Sequence, residues 1–478
     1  MFSRYAMSLI LLVFGLIGLL NTAAEAQQTP QPDLQQMQRQ IEQLQHEVQR
    51  LRPLEQEVAT LRATNEETWL TERRAEEVKA LIREVLSDAD TRASLADGGM
   101  TAGHNGKTFY LASEDGNYLM KIGGRFQIRY IYTDAPGAGT SPAAEADENE
   151  SGFQLRRVWL HFIGHIGDPK LKYAVWGGFS RSTGNFQIWD AYLSYDFDEH
   201  FSIRAGQTKV PFMHEEQISS RFQMAVERAN YNEFFTADYS QGVMVEGTYD
   251  HFGWKAMVHD GREGANVDWS ADSTDVGLAG RVEFMPFGKW AQFKDFVAWS
   301  DDPAGLLFGA AIDYELGEGG ADSTQNYTSL LGWTADASLE VHPFSLYASV
   351  VGRHVQGVDN VAGKSSVDQF GTELMAAVFI IPDKFDVFGR FEWIDHDHVN
   401  EIVGDPGVNL LPTGLVDDVK VFTVGGNWYF HRHDAKLTVD VVWAPDGLRR
   451  GESGGGTVTS NANNDGQIAV RAQMQVLF

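Results

Sequence analysis

"QIAVRAQMQVLF", residues 467–478, puts Ile468, Val470, Ala472, Met474, Val476 and Phe478 on one parity and Arg471, Gln473 and Gln475 on the other. Successive side chains of a β-strand point to opposite faces, so one face here is apolar and the other polar. An amphipathic strand closing on an aromatic residue is the pattern of a strand inserted into an outer membrane, and Phe478 is read as that insertion signal. "KIGGRFQIRYIY", residues 121–132, has the same grammar with more charge. Ile122, Phe126, Ile128, Tyr130 and Tyr132 oppose Lys121, Arg125, Gln127 and Arg129.

Between these two stretches the alternation recurs at 154–166, 170–180, 186–197, 201–209, 243–249, 252–259, 276–287, 306–314, 329–340, 344–355, 369–380, 386–395, 419–430 and 435–443, which makes sixteen segments in all. Connections after even segments are mostly tiny, such as "HP" at 342 and "HRHD" at 431. Those after odd segments are mostly long and polar: 133–153, 210–242, 260–275, 315–328, 356–368, 396–418 and 444–466. The short link at 181–185 and the long one at 288–305 depart from this rule. A soluble sandwich gives no reason for loop lengths to alternate. An even number of strands with short turns at one rim and long loops at the other predicts an all-β, 16-stranded antiparallel transmembrane β-barrel.

The chain has 478 residues, 38 basic and 66 acidic, a formal net charge of -28 and no cysteine. That balance repels phosphate backbones and excludes nucleic acid as the main partner. The lack of cysteine excludes disulfides, thiolate chemistry and Cys-ligated zinc. Residues 1–26, with Arg4, an apolar run from Met7 to Leu20 and Ala24-Glu25-Ala26, read as a secretory signal too short to span as a helix. Residues 27–88 read as an N-terminal α-helical coiled coil standing in the periplasm. Leu34, Met37, Ile41, Leu44, Val48 and Leu51 form its seam, broken at Pro53 and resumed at Leu54, Val58 and Leu61. A Gly-rich linker at 89–106 then leads to the barrel domain, 107–478.

In such a barrel the apolar parity meets lipid, where a charge costs about 2–4 kcal/mol at the midplane, so the basic parity lines water. Lys121, Arg125, Arg129, Arg204, Arg281, Arg390 and Arg471 are thus expected to line the pore and guide anions. Inward acids, among them Glu246, Glu283 and Glu392, offer such arginines a purely structural pairing. Arg156 and Arg157 are adjacent, so only one is expected to face the lumen. The long connection after the fifth strand is expected to fold inward, with Glu215, Glu216, Arg221, Glu227 and Arg228 lining a constriction; its alternative is an external cap. Trp189, Trp254 and Trp333 read by default as membrane-interface girdle residues.

The segments "SEDGNYLMKIGGRFQIRY", "FQLRRVWLHFIG", "FQIWDAYLSYDF", "IRAGQTKVPFMHEEQISS" and "AVER", with the closing strand, resemble the phosphate-selective porin O and P family. The resemblance implies a sixteen-stranded trimer, a third extracellular loop folded into the pore, and luminal arginines with central lysines that draw phosphate. This chain shows no recognisable lysine cluster, and its loops are acidic, as in "AAEADENE" at 143–150.

No catalytic motif survives inspection. "HEEQI" at 214–218 lacks the second His of a zinc protease helix, and "GFSRS" at 178–182 lacks the closing Gly of a nucleophile elbow. "DHDH" at 395–398 and "HRHD" at 431–434 sit in a loop and a turn and read as solvated tips, so no metal or cofactor is expected. The function expected is a passive outer-membrane porin, a homotrimer in lipid, passing small hydrophilic solutes. Anions such as phosphate follow from the resemblance. A cation- or sugar-preferring channel and a non-conducting barrel tethered to the cell wall through its coiled coil are the alternatives.

Overall fold

The alternating segments become one antiparallel ladder that closes on itself. The computed structural model describes residues 99–105, 108–135, 149–180, 183–262, 264–268, 274–317, 327–361, 364–395, 418–448, 457 and 466–478. The expected signal segment, coiled coil and most of the linker lie outside these residues, as does most of the acidic loop at 143–150.

The barrel strands are β3 (Tyr118–Asp134), β4 (Asn149–Ile166), β5 (Asp168–Phe179), β6 (Phe186–Asp196), β7 (Phe201–Lys209), β8 (Tyr239–Thr248), β9 (Phe252–His259) and β10 (Thr274–Phe287). The second half is β11 (Gly305–Gly317), β12 (Ser329–Val341), β13 (Phe344–Val361), β14 (Lys364–Ile381), β15 (Phe385–Asp395), β16 (Asp418–His431), β17 (Ala435–Ala444) and β18 (Gln467–Leu477). Each neighbour pairs antiparallel with the next, and β18 pairs back on β3 from Ile468↔Asp134 to Leu477↔Arg125. These are the sixteen strands expected, one for each alternating segment. Closure matters because an open edge in hydrocarbon leaves every unpaired peptide group unsatisfied, at several kcal/mol each.

Two strands went unanticipated. β1 (Met100–His104) and β2 (Phe109–Ser113) form a hairpin whose second strand pairs with β3 from Phe109↔Ile122 to Ala112↔Leu119. They take the edge of β3 below the point where β18 stops. The Phe478 carbonyl accepts from the Gly124 amide at 2.7 Å, and the Phe478 ring lies where a side chain on Gly124 would sit, 2.2 Å from an ideal Cβ. The connection expected at 356–368 is mostly ladder, since β13 runs to Val361 and β14 begins at Lys364.

The long link after β10 has a physical reason. Instead of turning at the rim, residues 288–304 fold inward and bury Phe296, Val297 and Trp299. Trp299 packs at 4.9 Å from Tyr429 and 5.6 Å from Phe379, and Phe296 at 4.9 Å from Tyr347. The connection between β7 and β8 also folds inward, and its Ile218, Met224 and Ala225 join the same apolar cluster. The two segments together fill one side of the lumen. Inward residues of β12–β18 such as Ser338, Ser349, Asp386, Thr438 and Gln473 are buried. Those of β5–β9 such as Lys172, Arg204, Glu246 and Lys255 stay exposed or half-buried. Open space therefore runs along the β5–β9 wall.

Candidate pore constriction

The β7–β8 connection, residues 210–238, contains two single-turn helices, α1 (His214–Gln217) and α2 (Asn230–Phe235). Elements this short satisfy few of their own peptide groups, so barrel side chains do it for them. Arg281 donates to the Phe212 carbonyl at 3.1 Å, Lys436 to Gln223 at 2.6 Å, Asn427 to Met224 at 3.0 Å and Gln475 to Arg221 at 3.0 Å. In the other sense the Val226 amide donates to Asp440 at 2.9 Å and the Tyr231 amide to Glu392 at 3.0 Å. Phe212, Met213, Tyr231 and Phe235 are buried beneath. The segment lies in the lumen and does not cap the barrel from outside.

Glu227 is the hub. Its carboxylate accepts from Arg129 at 2.6 Å, from Arg157 at 2.7 Å and from Arg156. The expectation that Arg156 and Arg157 face opposite sides is thus corrected. Gln127 pairs with Arg157 and the next residue, Ile128, with Leu155, so Arg156 is an extra residue in a β-bulge. A bulge re-aims a side chain that strict alternation would send outward.

Most of the expected pore cations hold carboxylates. Arg281 makes a bidentate pair with Asp336 at 2.8 Å and a further bond to Glu283 at 2.8 Å. Arg471 grips Asp440 at 2.8 and 2.7 Å. Arg390 pairs with Glu392 at 2.9 Å and lies 3.7 Å from Glu215, and Arg204 bonds Glu246 at 2.7 Å. Within the segment, Glu216 is held by Lys209 at 3.0 Å and Arg228 at 3.2 Å, and Glu215 accepts from the Ala229 amide at 3.2 Å.

Lys121, Arg125 and Arg221 differ. Lys121 is half-buried opposite Ile163. Arg125 donates to the Ser220 hydroxyl at 2.7 Å and lies 4.2 Å over Trp159. Arg221 lies 5.1 Å over Trp176 and 4.6 Å over Phe222. Among the described residues, none of the three has a carboxylate within ion-pair distance.

Charge in the lumen is therefore polarised. Where β3 and β4 meet the inward segment, Arg125, Arg129, Arg156, Arg157 and Arg221 gather, and three of them share the Glu227 carboxylate. Farther round the wall, on β14–β15, Arg390 meets Glu215, Glu373 and Glu392. Clusters of unlike charge set a field in the passage beside them. Trp189 is corrected as well. It is the bulged residue between Trp176↔Asp190 and Gly177↔Ile188, and it stacks on inward Trp159 at 5.3 Å. Trp254 and Trp333 remain on the outer face, Trp333 being 44% exposed.

The phosphate-selective porin O and P family model matches residues 120–351. The resemblance read from the sequence is thereby shown. No curated protein sequence matches the chain. Among solved structures, the anion-selective porin from Comamonas acidovorans aligns with a TM-score of 0.50 at 13% identity, over 75% of this chain and 99% of that one. The outer membrane channel DcaP of Acinetobacter baumannii aligns at 0.48 and 13%, over 76% and 99%. OmpT of Vibrio cholerae aligns at 0.47 and 9%, over 76% and 98%. The fold and the family match are those of outer-membrane channel proteins.

Proposed function

We propose that this relative of the phosphate-selective porins O and P is a passive channel for small hydrophilic solutes, with anions preferred. The observation that supports the preference is the excess of guanidinium over carboxylate on the β3–β4 side, where three arginines share Glu227 while Arg125 and Arg221 have no carboxylate within ion-pair distance among the described residues. Arginine suits the role because its planar fork stays charged and takes oxyanions bidentately. In this reading solute passes along the β5–β9 wall, beside the inward segment, and discrimination rests on width and field alone. In this reading the barrel works as a homotrimer with its short-turn rim toward the periplasm.

One observation favours a second reading. The whole chain carries a formal charge of -28, and acidic mouths concentrate cations. The zero-current potential of the purified protein in a planar bilayer under a KCl gradient decides between them. An anion-selective sign, weakened by Arg125→Ala, supports the proposal. A cation-selective sign assigns control to the acidic loops, and absence of conductance leaves the tethered, closed barrel.

A further inference from the structure

Beside the open wall, β3–β5 carry an arrangement that a channel for small inorganic ions does not require. Arg125 is only 3% exposed, its Nε has no hydrogen-bond partner, and its guanidinium carbon lies 4.2 Å from the Trp159 ring centroid. The Nε of half-buried Arg221 is likewise unpartnered, and its guanidinium lies over Trp176, which stacks on His161 at 4.3 Å. The two arginines are linked through Ser220, which accepts from Arg125 and precedes Arg221 in the chain. Both rings belong to the inward face, since Arg125 pairs with Trp159 across the ladder and His161 with Trp176.

Burying a guanidinium without a carboxylate is costly unless something else solvates its donors. A ring face supplies part of that through the cation–π attraction, about 0.5–2 kcal/mol, but it leaves the N–H edge unsatisfied. A guanidinium lying on a ring aims that edge parallel to the ring plane. An oxyanion bound there bidentately is held in the same plane, and its remaining atoms extend over the adjoining aromatic surface. Phosphate is tetrahedral and offers nothing to lie flat on a ring. A planar carboxylate, such as an aromatic acid, satisfies both surfaces at once.

Resting on the channel reading above, we propose that Arg125 and Arg221 with Trp159, Trp176, His161 and Ser220 form a binding subsite for planar organic carboxylates. The test is single-channel conductance in KCl with benzoate, acetate or inorganic phosphate added at equal charge concentration. Benzoate is expected to reduce the chloride current with a half-saturating concentration at least fivefold below that of acetate or phosphate. Trp176→Leu is expected to abolish this difference while KCl conductance stays within twofold, which also reports a folded barrel, and Arg221→Lys is expected to abolish it whatever its own KCl conductance. Equal effects of the three anions, or a benzoate preference unchanged in both variants, overturn the subsite and leave the channel standing. Absence of KCl conductance in the unaltered protein overturns the channel reading and the subsite together.

Discussion

Replacing Glu227 with Gln removes the carboxylate that three arginines of the β3–β4 cluster share while keeping its shape and an acceptor oxygen for them. The effect on permeation follows from Coulomb's law. An ion passing about 8 Å from the carboxylate feels about 0.5 kcal/mol if the path is as polar as bulk water, and about 2 kcal/mol at an effective dielectric constant of 20. Removing the charge helps an anion and hinders a cation by that amount each. Even the smaller figure moves the anion-to-cation permeability ratio by about 1 kcal/mol, or about fivefold. Zero-current potentials under a KCl gradient near 0.1 M read the ratio directly, because the screening length there, about 10 Å, still spans the distance. Conductance read in the same membrane reports the segment's position, since its release from the lumen would widen the passage and raise the current. A ratio unchanged within twofold, or shifted toward cations at unchanged conductance, refutes the view that the β3–β4 cluster sets selectivity.

Asp440→Asn leaves Arg471 buried without its carboxylate and weakens the acceptor for the Val226 amide; loss of one partner from a buried pair costs about 3–5 kcal/mol. Lower denaturant resistance of the folded band in gel mobility is expected, and an unchanged midpoint counts against it. Gly124→Val places side-chain atoms inside the Phe478 ring at the closing seam, which costs about 1–3 kcal/mol if the ring can shift. Slower folding into lipid vesicles is the expected readout, with Gly389→Val, where nothing lies within 4 Å, as the comparison within a strand. His433 sits in the turn between β16 and β17, packed on Trp299, Phe222 and Tyr429, with Asp295 at 3.2 Å. Burial holds its pKa below the ordinary 6.5 in the folded state. The unfolded state then binds more protons below that value, so stability falls as pH drops through 6.5 toward the folded pKa. Trp299 emission is expected to shift red as pH falls below 6.5 in the unaltered protein and to lose that pH dependence in His433→Gln.

The strands were legible because each depends on residues two apart. Alternation imposed by lipid on one side and water on the other repeats within every segment, from Ile122 and Arg125 to Val470 and Arg471. The hairpin β1–β2 was not legible. It lies under a neighbour and not across the bilayer, so "MTAGH" had no reason to alternate sharply, and its glycines read as a linker. Which residues share a face was legible wherever the register is regular, and it failed at both bulges. Arg156 and Trp189 carry no local mark that they are the extra residue. Pairing fixes that, and pairing is long-range.

The same distinction explains the candidate site. The sequence could say that Arg129, Arg281, Arg390 and Arg471 point inward. It could offer Arg390 its same-strand neighbour Glu392, but it could not say that Glu227, Asp336 and Asp440 would meet the others, since those acids lie on other strands or on the inward segment. Once the pairs are drawn, the number of cations facing the lumen says little about selectivity. The ones left over are decisive, and Arg125 and Arg221 are left over because the residues around them are aromatic where elsewhere they are acidic. Asp440 and Glu392 bond the segment's backbone while pairing with Arg471 and Arg390. Acids on β15 and β17 therefore fix the segment in the lumen, and in doing so they place its Arg221 over Trp176 of β5. The structural pairs and the uncompensated cations are two consequences of one packing arrangement. A substitution that frees the segment should accordingly abolish selectivity and the planar-anion effect together, whereas Trp176→Leu should separate them.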